Sequence, residues 1–419
     1  MRVRALVPIG MLLLAAGCGS ADRTATVTSQ LVRADVPRAV PSVSSADAAA
    51  LRDGNSLFAG RILAVVARDG QNVALSPASI SQALAMVFPG ARGATASELA
   101  SALDFRLGPD QLGGAFNALD RSLEAVNGPD TTLTVANALY GQIGQRFNEA
   151  FLRALARDYG AGLRTADFQH AAEAARAEIN AWVSEQTHGK IPDLLGPGDV
   201  DPSTRLMLVN AVYLKAKWAS PFTKQSTFPA VFHAPGGALE VPTMHQIGVF
   251  GYRQGAGYQA LELPYRGGRL AFDILLPSPG GLQSLLSRLA GEGPLPLLEG
   301  LSRQQVGLAL PKFRLDTRFQ LATALKALGM RLAFEPGSAD LSGIAGKPGY
   351  LYIGTVVHEA YLSVDEAGTE AAAATGVGIR ATAMPAPPEI QVVVDRPFPF
   401  VLRDVKTGAV LFTGVVSRP

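Results

Sequence analysis

Between residues 204 and 215 the sequence reads TRLMLVNAVYLK, a long apolar run that is β-branched in part. A strand that is apolar on both faces cannot lie at a solvated edge. It is central and buried, and it needs a large sheet around it. Helical patterns dominate before this run. Short strands with Gly/Pro turns, such as YQALELPY and LAFDILLP, dominate after it. This order lacks the regular alternation of a doubly wound sheet and predicts a mixed α+β fold with large sheets. No repeat and no Pro/Gly/Ser linker divides residues 47–419, so they are read as one large domain.

Apolar residues at helical spacing over 47–63 predict an opening helix. Residues 72–77, NVALSP, read as a short strand and a turn, with Ser76 capping the next helix and Pro77 at its first position. That helix runs through ISQALAMVF to Pro89-Gly90. Thr95, with Glu98 three residues on, has the capping-box pattern and predicts another helix start. Residues 131–140 are β-like, 149–159 helical, and 171–187 form an amphipathic helix stopped by Gly189 and Pro192. A helix is expected over 320–329, and strands over 391–394 and 409–416.

Cys18 is the single cysteine, which excludes an intramolecular disulfide and leaves packing to hold the fold. Residues 1–17, MRVRALVPIGMLLLAAG, have the charged start, apolar run and small residues of a secretory signal peptide. The run falls short of the about 20 apolar residues of a transmembrane helix. Ala15-Ala16-Gly17-Cys18 resembles a bacterial lipobox, with Ala15 where leucine is usual. The cysteine would be lipidated and become the new N-terminus, each buried CH₂ of lipid contributing about 0.8 kcal/mol to anchoring. Residues 18–46, rich in Ser, Thr, Ala and Pro, are read as a disordered tether. The expected address is extracytoplasmic: secreted and lipid-anchored at the bacterial cell envelope.

The net charge is +2 and no Lys/Arg-rich run occurs, so no nucleic-acid partner is expected. The patterns G-x-S-x-G, H-E-x-x-H, G-x-x-x-x-G-K-[ST] and G-x-G-x-x-G are absent. His170, His188, His233, His245 and His358 do not stand at metal-ligand spacing, and Cys18 is placed wrongly for a thiol–histidine pair. The chain is expected to be no enzyme and to use no cofactor or metal. Residues 376–389, GVGIRATAMPAPPE, instead read as a long exposed loop, and such loops are usually functional.

Seven segments carry a family resemblance. They are Leu75-Ser76-Pro77-Ala78-Ser79-Ile80; Leu208 through Trp218 (LVNAVYLKAKW) with Pro221-Phe222; Leu310-Pro311-Lys312-Phe313; and Asp340-Leu341-Ser342-Gly343. Val357-His358-Glu359-Ala360 leads into VDEAGTEAAAAT at 364–375, and Arg396-Pro397-Phe398-Pro399-Phe400 with LFTGVV at 411–416 closes the series. In this order they resemble the serpin family, protease inhibitors that work by being cut, across nearly all of 47–419. Ala216 stands where the family usually has glycine, and Leu75 replaces an aromatic residue; neither removes a polar group.

The resemblance implies a single α+β domain of about nine helices and three β-sheets, with an exposed reactive-centre loop at about 367–390. It implies a hinge formed by Glu366, Gly368, Thr369, Glu370, Ala371, Ala372, Ala373, Ala374 and Thr375. Ser76, Ser79, Asn210 and His358 would form a polar cluster, the shutter, under the centre of the main sheet. Trp218, Lys312 and Glu366 would form the breach at its top, where an exposed Lys312–Glu366 ion pair would contribute roughly 0–1 kcal/mol. The expected partner is a serine protease, held covalently by a monomeric inhibitor.

The hinge residues suit that mechanism physically. Loop insertion is the known serpin use of strand addition and stored strain. With period-2 alternation, Thr369, Ala371, Ala373 and Thr375 share the face that must bury, and all are small and uncharged. Glu370, Ala372 and Ala374 share the other, where Glu370 can stay in water. No proline interrupts 366–384, and Gly368 supplies backbone freedom. Alone, Ala371 to Ala374 read as helix; Gly368 before them, Gly376 and Gly378 after them, and the resemblance favour insertion.

The family's spacing from the glutamate matching Glu366 places the cut between Thr382 and Ala383. Counting back from Pro397 also allows Ala383–Met384, whereas proline after the cut disfavours Met384–Pro385. A small residue there implies an elastase-like or subtilisin-like target; Arg380 is the trypsin-like alternative. Residues 367 to about 381 would then insert, fifteen residues at roughly 3.3 Å each spanning about 50 Å. The alternative is a non-inhibitory serpin-fold binding protein, whose hinge would carry bulky, charged or proline residues.

Overall fold

The structure, a computed structural model, describes residues 29–67, 70–370 and 388–419. The chain opens with β1 (Gln30–Val32), α1 (Ser45–Val66), β2 (Val73–Leu75), α2 (Pro77–Val87), α3 (Gly93–Ala102) and α4 (Pro109–Glu124). Next come β3 (Thr131–Gln142), α5 (Glu149–Tyr159), β4 (Leu163–Ala166), α6 (Phe168–Gln186) and β5 (Leu206–Lys217). The strand-rich part holds β6 (Thr227–Ala234), β7 (Gly237–Gly255), β8 (Tyr258–Pro264), β9 (Leu270–Pro277), α7 (Leu282–Glu292), α8 (Leu295–Leu298), β10 (Ser302–Pro311), β11 (Phe313–Gln320) and α9 (Ala322–Ala327). It closes with β12 (Thr355–Val364), β13 (Gly368–Thr369), β14 (Ile390–Val393), β15 (Phe398–Asp404) and β16 (Val410–Val416).

Local chemistry fixes several boundaries. Ser44 Oγ accepts from the Asp47 N–H at 3.0 Å and starts α1. Ser76 caps α2, with Pro77 at its first position. Gly160, at φ +62°, ends α5 in the left-handed conformation that glycine takes without strain.

The first sheet has the order β1-β4-β3-β5-β13-β12-β11. β5 is central, and all of it is buried except Lys215 and Lys217. Its alternating residues enter different layers. Met207, Val209 and Ala211 pack with Phe168, Ile179 and Val183 of α6 on one face. Val212, Leu214 and Ala216 share the opposite core with the second sheet, including Phe272, Phe400 and Phe412. The second sheet runs β14-β10-β7-β8-β9-β15-β16-β2, with β6 also on β7. The three expected sheets thus form two hydrogen-bonded networks. The 19-residue β7 joins two of them, pairing with β6 over its first part and β8 over its last.

Two expectations need correction. The disordered tether over 18–46 does not extend through residues 29–44. β1 pairs antiparallel with β4, and the Ser29 N–H donates to Glu178 Oε1 at 2.8 Å. Arg38 donates to Asn117 Oδ1 at 2.8 Å and pairs with Asp120 at 2.5 Å and Glu124 at 2.8 Å, all on α4. A three-residue strand and one arginine clamp leave no apolar period in the sequence. Secondly, Thr95 and Glu98 form no capping box. α3 starts after Arg92 with no side-chain cap. Thr95 Oγ1 accepts from the Asp340 N–H at 2.9 Å, while Glu98 Oε2 accepts from the Arg331 and Leu332 N–H groups at 2.8 and 2.7 Å. Tertiary donors take both oxygens that the motif would use locally.

Burial raises the Asp120 carboxyl, and the Arg38 guanidinium opposes that rise without cancelling it. Arg38→Ala leaves this partly buried carboxylate without its cation. The expected cost is about 1–2 kcal/mol, below that of a fully buried pair because the site is partly wet. Thermal unfolding should shift down by a few degrees, and hydrogen exchange should quicken at residues 30–32 and 163–165.

Candidate functional site at the seam of the central sheet

β5 and β12 pair in parallel from Met207 opposite Thr355 to Tyr213 opposite Tyr361. Above that point the two strands part and β13 fills the gap. It runs antiparallel to both, with Gly368 opposite Lys217 and Thr369 opposite Ala216 and Val364. The turn from β12 into β13 is closed by Asp365, whose Oδ1 accepts from the Ala367 and Gly368 N–H groups at 2.8 and 3.2 Å. Position 368 must be glycine: φ is +153°, and a Cβ would stand 2.0 Å from the Ala216 carbonyl oxygen. Thr369 is fully buried, and its hydroxyl meets that of Tyr265 at 2.5 Å.

Trp218, Lys312 and Glu366 come together at the top of this gap. The Trp218 indole stacks on Tyr265 at 4.5 Å, and its Nε1–H donates to the Asp365 carbonyl at 2.9 Å. Lys312 Nζ donates to Glu366 Oε2 at 2.8 Å, and Thr227 Oγ1 donates to Oε1 at 2.9 Å. The pair is less exposed than expected, because the Glu366 side chain is 9% exposed and the Lys312 side chain 37%. Burial pushes the Glu366 carboxyl up, but the hydrogen bonds from Lys312, the backbone and Thr227 outweigh it and hold it below its usual range.

Lower in the seam, the structure brings Ser76, Ser79, Asn210 and His358 into one buried network. Asn210 and His358 face each other across β5 and β12. The Ser76 N–H donates to His358 Nε2 at 3.0 Å, so Nε2 is the acceptor nitrogen of a neutral ring. Nδ1 then carries the proton and donates to Asn210 Oδ1. Asn210 Nδ2 donates to Ser79 Oγ at 2.5 Å and to Asn137 Oδ1. Ser79 Oγ donates in turn to Asn137 Oδ1 at 3.0 Å, and Asn137 Nδ2 reaches Gln82 Oε1 at 3.2 Å. α2 supplies Ser79 and Gln82 with Ser76 as its cap, so a helix start is tied to the seam. Burial pushes the His358 pKa down to about 3.

Glu370 departs from its expected place in water. Its side chain is 12% exposed and pairs with Lys190, from the segment after α6. Its backbone sits at φ +49°, and its N–H donates to the Ser363 carbonyl at 2.8 Å. Glu370 Oε2 is buried and accepts no hydrogen bond among the described residues. Burial, with the Glu370 charge adding to it, pushes the nearby Tyr213 phenol up to about 12. The expectations for Ala371, Ala372, Ala373, Ala374, Thr375, Arg380, Thr382, Ala383 and Cys18 lie outside the described residues.

Sequence reasoning missed Asn137, Tyr265, Thr227 and Lys190. Asn137 was findable: it is an amide flanked by apolar residues in the strand TTLTVANALYGQ, the same signal that marks Asn210. Lys190 has no such signal, because its partner is set by how the segment after α6 crosses the seam. Among the described residues no cluster of His, Cys, Asp or Glu could hold a metal ion.

The family model for serpins (serine protease inhibitors) matches residues 53–419. The chain belongs to the serpin family. Leukocyte elastase inhibitor A of Rattus norvegicus is 40% identical over 381 residues, covering 88% of this chain and 99% of that protein. An uncharacterised serpin-like protein of Thermococcus kodakarensis is 40% identical over 356 residues, covering 84% of this chain and 82% of its own length. Among solved structures, the thermophilic serpin tengpin in its native state superposes with a TM-score of 0.84 at 27% identity, covering 94% of this chain and all of that one. Serpins are protease inhibitors and not catalytic enzymes.

The neutral His358 gives this serpin a defined acid sensitivity. Below pH 6.5 the unfolded imidazole takes up a proton, while the folded one resists until about pH 3. The unfolded state then binds more protons, so this residue's contribution falls as pH drops through that window, by about 1.4 kcal/mol per pH unit. Asp273 and Glu359, both raised to about 7 by burial, act in the opposite sense. The comparison is therefore with His358→Gln, in which thermal unfolding between pH 6.5 and 4 should lose the histidine's slope.

Lys190→Ala should loosen the hinge, because it leaves the buried Glu370 carboxylate without a cation. Amide exchange at Thr369 and Glu370 should quicken while exchange in β3 stays unchanged, and Lys190→Arg should restore protection.

Proposed function

We propose that this serpin is a suicide-substrate inhibitor of serine proteases, cut between Thr382 and Ala383, with Arg380 as the alternative reactive residue. The observation that carries the reading is β13, two hinge residues already hydrogen-bonded between β5 and β12. Continuing that register by six positions, from 369 to 375, passes from 216 to 210 on β5 and from 364 to 358 on β12. Thr375 would arrive between Asn210 and His358, the two side chains that tie the seam. Thr369, Ala371, Ala373 and Thr375 would face the core, and Glu370, Ala372 and Ala374 would pass beneath α6.

Insertion would replace the seven parallel pairs from 207–213 and 355–361 with two antiparallel ladders. Antiparallel pairing is slightly more stable per residue, and there would be twice as much of it. The uncut loop is spanned at both ends and cannot enter fully. Cleavage by the protease frees it, and an acyl-enzyme attached at Thr382 would be carried along the sheet before it could hydrolyse. The native form is then held by a barrier and not by being the most stable arrangement.

An elastase-like or subtilisin-like target follows from the small residue at the cut, and the name of the rat relative agrees with it. Cys18 would anchor the monomer by lipid outside the cytoplasm, at a bacterial cell envelope. The test is to mix the purified protein with pancreatic elastase, subtilisin and trypsin, followed by denaturing gels and mass spectrometry. The expected result is a complex that survives denaturation and a released peptide beginning at Ala383, or at Ala381 if Arg380 is used. Thr369→Arg would bury an unpaired charge in the seam and should be cleaved without forming a complex. Cleavage of the unaltered protein with all three proteases left active would sink the suicide mechanism for these classes.

A further inference from the structure

The N-terminal strand fixes where a lipid on Cys18 can hold the molecule. The described chain begins at Ser29, and β1 pairs antiparallel with β4, Gln30 opposite Thr165. β4 pairs with the end of β3, Ala166 opposite Gln142, and Gly141 of β3 lies opposite Leu206 at the start of β5. Ser29 is therefore at the end of the central sheet where β5 begins. Gly368 of the hinge lies opposite Lys217 at the other end, eleven residues on (217 − 206) and about 36 Å away along β5. Cys18 precedes Ser29 by eleven residues (29 − 18), so a lipid there lies within about 40 Å of Ser29. Were the chain first held at Ser45, where α1 starts, 27 residues (45 − 18) would reach about 95 Å. β1 and the Arg38 clamp thus more than halve the leash and attach it at the end opposite the hinge.

That same end carries exposed cations and apolar groups. The turn after β3 and the loop before β12 meet there. The Tyr350 hydroxyl donates to Gln145 Oε1 at 2.7 Å, and the Gly354 N–H donates to the Leu206 carbonyl at 2.9 Å. Ile143 is 37% exposed and Tyr350 49%. Arg146 and Lys347 are exposed and enter no ion pair among the described residues. The carboxylates nearest them in the chain are occupied, Glu149 by Arg153 and Asp340 by Ser342. Exposed cations are drawn to anionic lipid, and a tyrosine ring with a polar tip suits the headgroup level. We propose that Ile143, Arg146, Lys347 and Tyr350 form a contact for an anionic lipid surface, which keeps this end of the sheet against the membrane and the hinge end away from it. The use of the contact in the cell rests on the lipidation of Cys18 proposed above. Continuing the insertion register places residue 379 opposite Leu206, so a protease attached at Thr382 would arrive at this end and break the contact.

The test separates the contact from the lipid by using the full chain with Cys18→Ser. Its flotation is measured with vesicles of equal parts phosphatidylcholine and phosphatidylglycerol, and with phosphatidylcholine alone. The expected result is binding to the anionic vesicles only, weakened by salt. Each cation near such a surface strengthens binding about fivefold, so Arg146→Gln with Lys347→Gln should weaken it about thirtyfold. Ile143→Ser should cause a smaller loss. Lys224→Gln with Arg303→Gln, two exposed cations at the hinge end, should change nothing, and all variants should keep the melting temperature. In the lipidated chain on the same anionic vesicles, an amine-reactive label should reach Lys347 more slowly than in detergent and reach Lys224 at the same rate. Flotation that the Arg146 and Lys347 substitutions leave unchanged, or that the control pair reduces equally, would overturn the proposal. A dimer of the unaltered protein that the substitutions dissolve would do so too, by assigning the face to a second copy. If mass spectrometry finds no lipid on Cys18, the anchoring reading fails, while the flotation result still decides the contact.

Discussion

The parallel seam between β5 and β12 is the constraint on which the structure turns. It is the one place in the central sheet where two strands are joined along their lower halves and held apart at the top by a third. Backbone hydrogen bonds favour closing such a gap, because unpaired ladder groups in a buried sheet are costly. Here the gap is filled by Gly368 and Thr369, and the chain can place them there because Asp365 folds it back on β12. Trp218, Lys312 and Glu366 surround the filled gap, and Asn210 and His358 tie the paired strands below it.

The two faces of the seam are held by different chemistry. On the core side, the polar network of His358, Asn210, Ser79 and Asn137 ties the strands to each other and to the start of α2. A fully satisfied buried network is stiff, and each member has a high cost of being left unpaired. On the other side, α6 and the segment after it cover the sheet, and Lys190 reaches the carboxylate of Glu370. Among the described residues, one oxygen of that carboxylate is buried without a hydrogen-bond partner. The lower lock is therefore the more complete one, and the upper latch the more easily released. Such a gradient suits a strand that enters from the top.

The rest of the molecule frames this seam. The long β7 joins what would otherwise be two sheets, pairing with β6 and β10 and then with β8. At the opposite edge of the central sheet, β1 and the Arg38 clamp add a strand beside β4 and bind it to α4.

Much of this was legible in the sequence. The apolar run of β5 announced a strand buried on both faces, since hydrophobicity on every side has no other stable home in a sheet. The small residues Gly368 and Thr369 suit a segment lying between strands, because size is a local property. Asn210 and His358 stood out as polar residues in apolar strands, and Asn137 carried the same signal. Other features depended on distance in space and not on order in the chain. Thr95 and Glu98 have the pattern of a helix cap, yet neighbours more than 200 residues away take their oxygens. Glu370 looks solvent-facing by alternation, yet Lys190 meets it where the segment after α6 crosses the seam. The sequence alone determines which residues can form a strand, enter a sheet or require a partner. Only the tertiary structure decides which partner arrives, because hydrogen bonds and ion pairs are set by approach within a few ångströms that no local pattern records.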